Sequence, residues 1–194
     1  MNSAKIRVLL AEDDLDFQLL TADEINAQED MCLIYAASTR EDAFRAARAL
    51  TPDIVLMDLN LTGSYLDGIE TSRDIRLATD TKVIILTSFE NPEITVDACK
   101  RAFASGYVYK SQFSILVETI RKTAKGYTPQ EHMINSLILA DLSPAEQSVF
   151  YTLLGKELHL RSSPKTIANQ KKAILHKFGL QSQQQLLHLF HDKL

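Results

Sequence analysis

The sequence predicts an α/β protein, a parallel sheet of five strands covered by helices on both faces, followed by a small all-helical region. Three observations carry this. Over the first 125 residues, five short apolar runs alternate with five amphipathic stretches of helical period, and parallel strands buried on both faces read as such near-continuous runs. From residue 143 onward only helical periodicity remains. Charge divides the chain in the same place. Residues 1–142 hold 14 Lys and Arg against 22 Asp and Glu, a net of −8; residues 143–194 hold 7 against 3, a net of +4, with four of the five histidines. An acidic body with a basic tail points to two tasks, the second one concerning nucleic acid.

The elements follow in order. Residues 6–11 (IRVLLA) are the first strand and 15–27 the first helix. Residues 32–36 are a weaker second strand. In the second helix, 39–50, Ala43, Phe44, Ala47 and Leu50 share one face and Thr39 is the N-cap. Residues 54–57 are the third strand and 68–78 the third helix. The fourth strand, 82–86 (KVIIL), leads to a helix at 93–103 with Pro92 suited to its first turn. Residues 106–109 are the fifth strand. The fifth helix, 111–124, carries Phe113, Leu116, Val117, Ile120 and Ala124 on one face. A linker helix is expected over 129–140. Ser143 and Glu146 form a capping box ahead of a helix at 144–154. A longer helix at 163–178 has Ser163 as N-cap, Pro164 at its first position and Gly179 at the C′ site. A last helix covers 183–191. Three segments result: 1–125, a linker at 126–142, and 143–194.

The N-terminus lacks the apolar stretch of a secretory signal, and no apolar run nears the 18 residues of a membrane span. The expected location is the cytoplasm, with no membrane partner. Cys32 and Cys99 sit in apolar surroundings without metal-ligand spacing and read as packing residues.

Function is read from the polar residues that end the apolar runs. Glu12, Asp13 and Asp14 follow the first strand, Asp58 the third, Thr87 and Ser88 the fourth, and Lys110 the fifth. In a flavodoxin-like sheet of order 2-1-3-4-5, strands 1 and 3 are neighbours at the switch point, where such folds bind ligands. Taken singly, an acid after a strand is a helix-start charge and a lone Asp or Thr is a cap. Together, at the ends of strands 1, 3, 4 and 5, they converge on one crevice. Two carboxylates at about 4 Å repel by roughly 4 kcal/mol at an effective dielectric near 20, and a divalent cation relieves this. Oxygen-only ligands in an open site suit Mg²⁺, and Lys110 supplies a fixed positive charge for a carboxylate or a phosphoryl oxygen.

The segments VLLAEDD (8–14), IVLMDLN (54–60), DGIE (67–70), VIILTS (83–88) and SGYVYKS (105–111) resemble the receiver domain of bacterial two-component response regulators. The resemblance implies that Asp58 takes a phosphoryl group from a sensor histidine kinase. It implies that Glu12 and Asp13 are the acidic pair at Mg²⁺, with Asp58 and the backbone carbonyl of Asn60 as further ligands. Lys110 would pair with a phosphoryl oxygen and Thr87 would donate its hydroxyl to it. Ser88 is small and leaves the site accessible, and Tyr107 would swing inward as Thr87 moves. Asp14 lies one place too late for the pair and is expected as an exposed acid of the first helical turn. The 59–67 segment is about two residues longer than the family's shortest form and lacks its proline. A haloacid-dehalogenase-like phosphatase also carries an Asp, a hydroxyl and a Lys at strand ends, but its general acid would fall on Asn60, which has no proton to give. The chain is therefore expected to be no enzyme beyond its own phosphoryl transfer and dephosphorylation.

The tail resembles the helix-turn-helix output domain of the NarL/FixJ (LuxR-type) regulators, through LSPAE (142–146), SPKTI (163–167) and ILHKFGL (174–180). The helix at 163–178 turns Ile167, Ile174 and Phe178 towards a core and offers Lys165, Thr166, Asn169, Lys171, Lys172 and Lys177 as candidate contacts to promoter DNA, lysines for phosphates or guanine and Asn169 for adenine. Only seven residues lie between Gly155 and Ser163, against about twelve normal in that family, so the scaffold helix is cut by about one turn or more. The alternative is a tail that acts by protein contact. A homodimer is expected, through the helix 4–strand 5–helix 5 face, through helices 1 and 5, or through the tail.

Overall fold

In the computed structural model, residues 4–61, 63–158 and 162–190 are described. The strands are β1 (Ile6–Ala11), β2 (Met31–Ala37), β3 (Ile54–Asp58), β4 (Lys82–Thr87) and β5 (Gly106–Tyr109), and they form one parallel sheet of order β2-β1-β3-β4-β5. The predicted order is the observed one. The helices of this part are α1 (Leu15–Asn26), α2 (Arg40–Leu50), α3 (Tyr65–Ala78), α4 (Pro92–Ala102) and α5 (Leu116–Lys125), followed by α6 (Pro129–Leu139).

Alternation along each strand builds two cores. Val8, Leu10, Ile54, Leu56, Ile84 and Leu86 face one side of the sheet with Ile25 of α1 and Leu116 and Ile120 of α5. Leu9, Ala11, Val55, Met57 and Val83 face the other with Ala43, Ala46 and Ala47 of α2 and Ile75 of α3. Burial on both faces is why the strands read as unbroken apolar runs.

Element boundaries follow local chemistry. Asn91 caps α4 by accepting the Glu93 and Ile94 N–H groups, with Pro92 at the first position, and Thr39 caps α2 by accepting from Asp42. Asp14 differs from expectation. It is the N-cap of α1, accepting from Asp16 and Phe17, rather than an acid inside the first turn. Its carboxylate reaches the orphan amides that a residue one position later would miss. The segment predicted as one helix at 111–124 begins as a 3₁₀ turn, Lys110–Ile115, with non-helical Gln112, before α5 proper. In that turn Phe113 packs edge-on against Phe17 of α1, 5.4 Å between centroids. The third helix starts three residues ahead of Gly68, at Tyr65.

The chain divides into two compact units, Met1–Ile134 and Asn135–Leu194, and the division falls inside α6, within the segment read as the linker. In the second unit α7 (Pro144–Leu153), α8 (Pro164–Lys177) and α9 (Gln183–Phe190) follow the end of α6. Phe150 is fully buried and meets Phe178 and Phe190 edge-on at 6.1 and 5.3 Å. The capping box at Ser143 and Glu146, the Ser163 cap and Gly179 at φ 62° stand where the sequence predicts them. Among the described residues no helix is long and apolar enough to cross a membrane.

Candidate functional site

Parallel strands end at one edge of the sheet, so the residues that terminate their apolar runs collect there. Glu12 follows β1, Asp58 closes β3, Thr87 closes β4 and Lys110 follows β5. One carboxylate oxygen from each of Glu12, Asp13 and Asp58 lies within 4.8 Å of the others, with Glu12 and Asp58 buried and Asp13 exposed. The Lys110 ammonium stands 2.6 Å from Glu12 Oε2 and 3.0 Å from Asp58 Oδ2. The Asn60 N–H donates to the other Asp58 oxygen at 3.2 Å.

The electrostatics follow from this packing. Burial holds the Glu12 carboxyl above its usual range and the Asp58 charge adds to it, against the opposing pull of Lys110. Burial alone would lower Lys110; its hydrogen bonds to Glu12 and Asp58 outweigh that and raise it. Three acids against one ammonium leave a net negative, oxygen-only cluster, a donor set that fits a hard divalent cation such as Mg²⁺.

Thr87 is fully buried and its hydroxyl accepts the Phe89 N–H at 3.0 Å, while Ser88 is exposed. Tyr107 is half-buried, its ring 5.5 Å from that of Tyr109, whose hydroxyl donates to Thr95. Burial pushes the Tyr107 phenol up, helped by Tyr109 and Cys99.

Several residues that shape the site escape a reading of the sequence. The Phe17 ring lies 4.5 Å below the Lys110 ammonium, an arrangement that favours the charged form. The Gln18 amide donates to the Glu12 carbonyl and to Ser38, bracing the β1–α1 turn. Gly68 lets α3 approach the end of β3. A Cβ there would stand 2.3 Å from the Asp58 carbonyl oxygen and 2.5 Å from the Leu59 Cα. The only signal in the sequence was a glycine in the segment DGIE, at the first position of the predicted helix.

The response regulator receiver domain family matches residues 8–121, more than half of the chain. YxjL of Bacillus subtilis, an uncharacterized transcriptional regulatory protein, is 34% identical over 149 residues, which cover 76% of this chain and 67% of YxjL. The chain belongs to the two-component response regulators of the LuxR type. The transcriptional regulatory protein LiaR of B. subtilis is 33% identical, covering 71% of this chain and 64% of LiaR. YvfU of the same organism is 28% identical and matches over 97% of this chain and 98% of its own length. Among solved structures, a LuxR-family regulator from Aurantimonas sp. SI85-9A1 superposes with a TM-score of 0.60 at 29% identity, covering 71% of this chain and 98% of that one. The RcsB response regulator of Salmonella typhimurium agrees in fold over 96% of this chain and 97% of its own, with a TM-score of 0.57 at 24% identity.

In the tail of this regulator, α8 buries Ile174, its C-cap Phe178 is buried too, and Ile167 turns partly inward. Lys165, Thr166, Asn169 and Lys172 are exposed, and 165, 169, 172 and His176 recur at spacings of four, three and four along one face. Lys171 is half-buried, its ammonium 3.4 Å from Gln183 of α9. Lys177 departs from the predicted role. Its ammonium donates to Glu146 Oε2 at 2.7 Å and to the Asp141 carbonyl at 3.0 Å, bracing α8 against the start of α7. Spacing on one helix could not reveal a partner 31 residues away. Between α7 and α8, Gly155 turns the chain at φ 87° and residues 156–158 carry no regular structure; residues 159–161 of the abbreviated segment lie outside the described ones.

Proposed function

We propose that this response regulator is phosphorylated on Asp58 by a sensor histidine kinase and controls transcription by binding promoter DNA through α8. The observation that carries the first half is the cluster itself, in which the carboxylates of Glu12, Asp13 and Asp58 lie within 4.8 Å of one another and Lys110 stands 3.0 Å from Asp58. An Asp58 oxygen attacks phosphorus, the P–N bond to the donor imidazole breaks, and the imidazole leaves with a proton from solvent. Glu12, Asp13, Asp58 and the Asn60 carbonyl would hold Mg²⁺, which supplies charge neutralisation for the incoming phosphoryl group. Lys110 turns from its ion pairs to a phosphoryl oxygen. Thr87 exchanges the Phe89 N–H contact for one with the phosphoryl group, which brings about −1.5 to −2 charge and three acceptor oxygens. Tyr107 follows Thr87 inward, and the α4–β5–α5 face repacks. No catalysis on other substrates is part of this reading.

The second half rests on the exposed stripe Lys165, Thr166, Asn169 and Lys172 in a unit of net positive charge. Lys171 borders it and Lys177 serves as a brace. By role, the sequence segments serve as receiver (1–125), linker (126–142) and an abbreviated output domain (143–194), in a cytoplasmic homodimer.

A small phosphodonor with Mg²⁺ tests the receiver. The wild-type chain gains one phosphoryl group by intact mass and Asp58→Asn gains none; labelling of Asp58→Asn at another residue overturns the assignment, and steady multiple turnover of an aryl phosphate contradicts a receiver. A gel shift with promoter DNA across salt concentrations tests the tail, and absence of retardation at low salt in both phosphorylation states refutes DNA binding.

A further inference from the structure

Among the described residues β5 is an edge strand, so the outward N–H and C=O of Tyr107 have no strand partner there. Gln130, in the first turn of α6, supplies one. Its Oε1 accepts the Tyr107 N–H at 3.3 Å and its amide N–H donates to the Tyr107 carbonyl at 3.3 Å. A primary amide carries one acceptor and its donors side by side, like a peptide unit, so Gln130 acts as a strand of one residue. The approach depends on Gly106, where a Cβ would stand 2.8 Å from Gln130 Oε1.

The neighbouring contacts hold the same turn of α6 to the sheet. Glu131 is 1% exposed, accepts the Ser105 hydroxyl at 3.1 Å, and lies 3.6 Å from the Lys82 ammonium. Lys82 also donates to the Thr123 and Gly126 carbonyls at 2.9 and 2.6 Å, fixing the chain between α5 and α6. Thr128 Oγ1 accepts the Glu131 N–H. The start of α6 is thus part of the first unit. It is fastened to the backbone of the very residue whose ring is read as following Thr87. In the register, Thr87 lies beside Tyr109 and Ile85 beside Tyr107, so a shift at the end of β4 bears directly on this strand.

We infer that Gln130 is a positioning residue that couples α6 to the switch strand, so that phosphorylation of Asp58 reaches α6 through the Gln130–Tyr107 pair. This rests on the reading of Asp58 and Tyr107 given above. The clamp exists before phosphorylation and fixes the Tyr107 backbone. When the ring turns inward, the backbone adjusts, and α6 moves because two hydrogen bonds and a buried Glu131 tie it there.

Hydrogen exchange by mass spectrometry on the full chain tests this, with the wild type, Gln130→Ala, and Gly106→Ala as an independent way to displace the amide. In the unphosphorylated state the Tyr107 amide should exchange about fivefold faster in both variants, the consequence of losing one ordinary hydrogen bond. After treatment with a small phosphodonor and Mg²⁺, the α6 amides should change by about threefold or more in the wild type. In both variants they should stay constant although intact mass shows full labelling of Asp58. An unchanged Tyr107 rate in the variants, or an α6 response of equal size in them, overturns the proposal. So does a phosphorylated wild type whose α6 does not respond. Absence of labelling in the wild type instead defeats the reading of Asp58, and the coupling falls with it; intact mass separates that result from the others.

Discussion

Replacing Lys177 by Ala separates a brace from a DNA contact. The ammonium sits 2.7 Å from Glu146 Oε2 and 3.0 Å from the Asp141 carbonyl, and it lies in the last turn of α8, where a positive charge favours the helix macrodipole. A hydrogen bond to a charged group contributes about 1.5–3 kcal/mol when well buried. The Lys177 side chain is 38% exposed, so solvent screening reduces this to about 1 kcal/mol, and the dipole adds about 0.3–1 kcal/mol. Glu146 keeps the Ser143 N–H at 2.7 Å and is not stranded. The expected loss is about 1–2 kcal/mol, or roughly 5–10 °C in the melting of the second unit by far-UV circular dichroism. The slope of log K against log salt for promoter DNA should stay at its wild-type value in Lys177→Ala and fall by about 0.9 in Lys172→Ala, whose stability should hold within about 0.5 kcal/mol. A reduced salt slope with unchanged melting in Lys177→Ala would refute the brace.

The remaining predictions concern pH, packing and thiol chemistry. Lys177 first, and then the Ser143 N–H, hold the Glu146 carboxyl below its usual range. A depressed folded-state value contributes stability above the unfolded value, about 4.3, and loses it as pH falls through the folded one. The melting difference between wild type and Glu146→Gln should therefore be full near neutrality and vanish in acid below that value; a difference independent of pH would show that the pair is not ionic. Gly68→Ala forces a methyl against the Asp58 carbonyl and Leu59 backbone, and overpacking of this kind costs about 1–3 kcal/mol. It should slow labelling of Asp58 by a small phosphodonor as well as lower stability, and wild-type labelling kinetics would argue against a shared α3–β3 contact. Burial pushes the Cys99 thiol up to about 12, so a thiol reagent should reach Cys99 only after unfolding; modification in the native state would contradict its buried place.

The candidate site was legible because strand ends are local features. An apolar run that stops at Glu12, Asp58, Thr87 or Lys110 needs no partner to be seen, and parallel pairing then brings all four to one edge. Caps were legible for the same reason, since Ser143, Ser163 and Thr39 bond within three residues of themselves. Asp14 shows the limit. The sequence places the helix start at Leu15, where α1 begins, but whether an acid caps or follows the cap depends on the φ/ψ of one residue. Phe17 under Lys110, Gln130 on Tyr107 and Lys177 on Glu146 join residues 93, 23 and 31 positions apart. No period or motif links such pairs.

The sequence by itself determined the strands, their alternation with helices, the polar residues that end the apolar runs and the capped helix with its basic face, because hydrophobic period and capping chemistry act over a few residues. Only the tertiary structure decided which lysine braces and which faces solvent, why Gly68 must lack a side chain, that Gly106 leaves room for the Gln130 amide, and where α6 begins its hold on the sheet. Those depend on how close two elements come once both are packed, a distance set by the whole core.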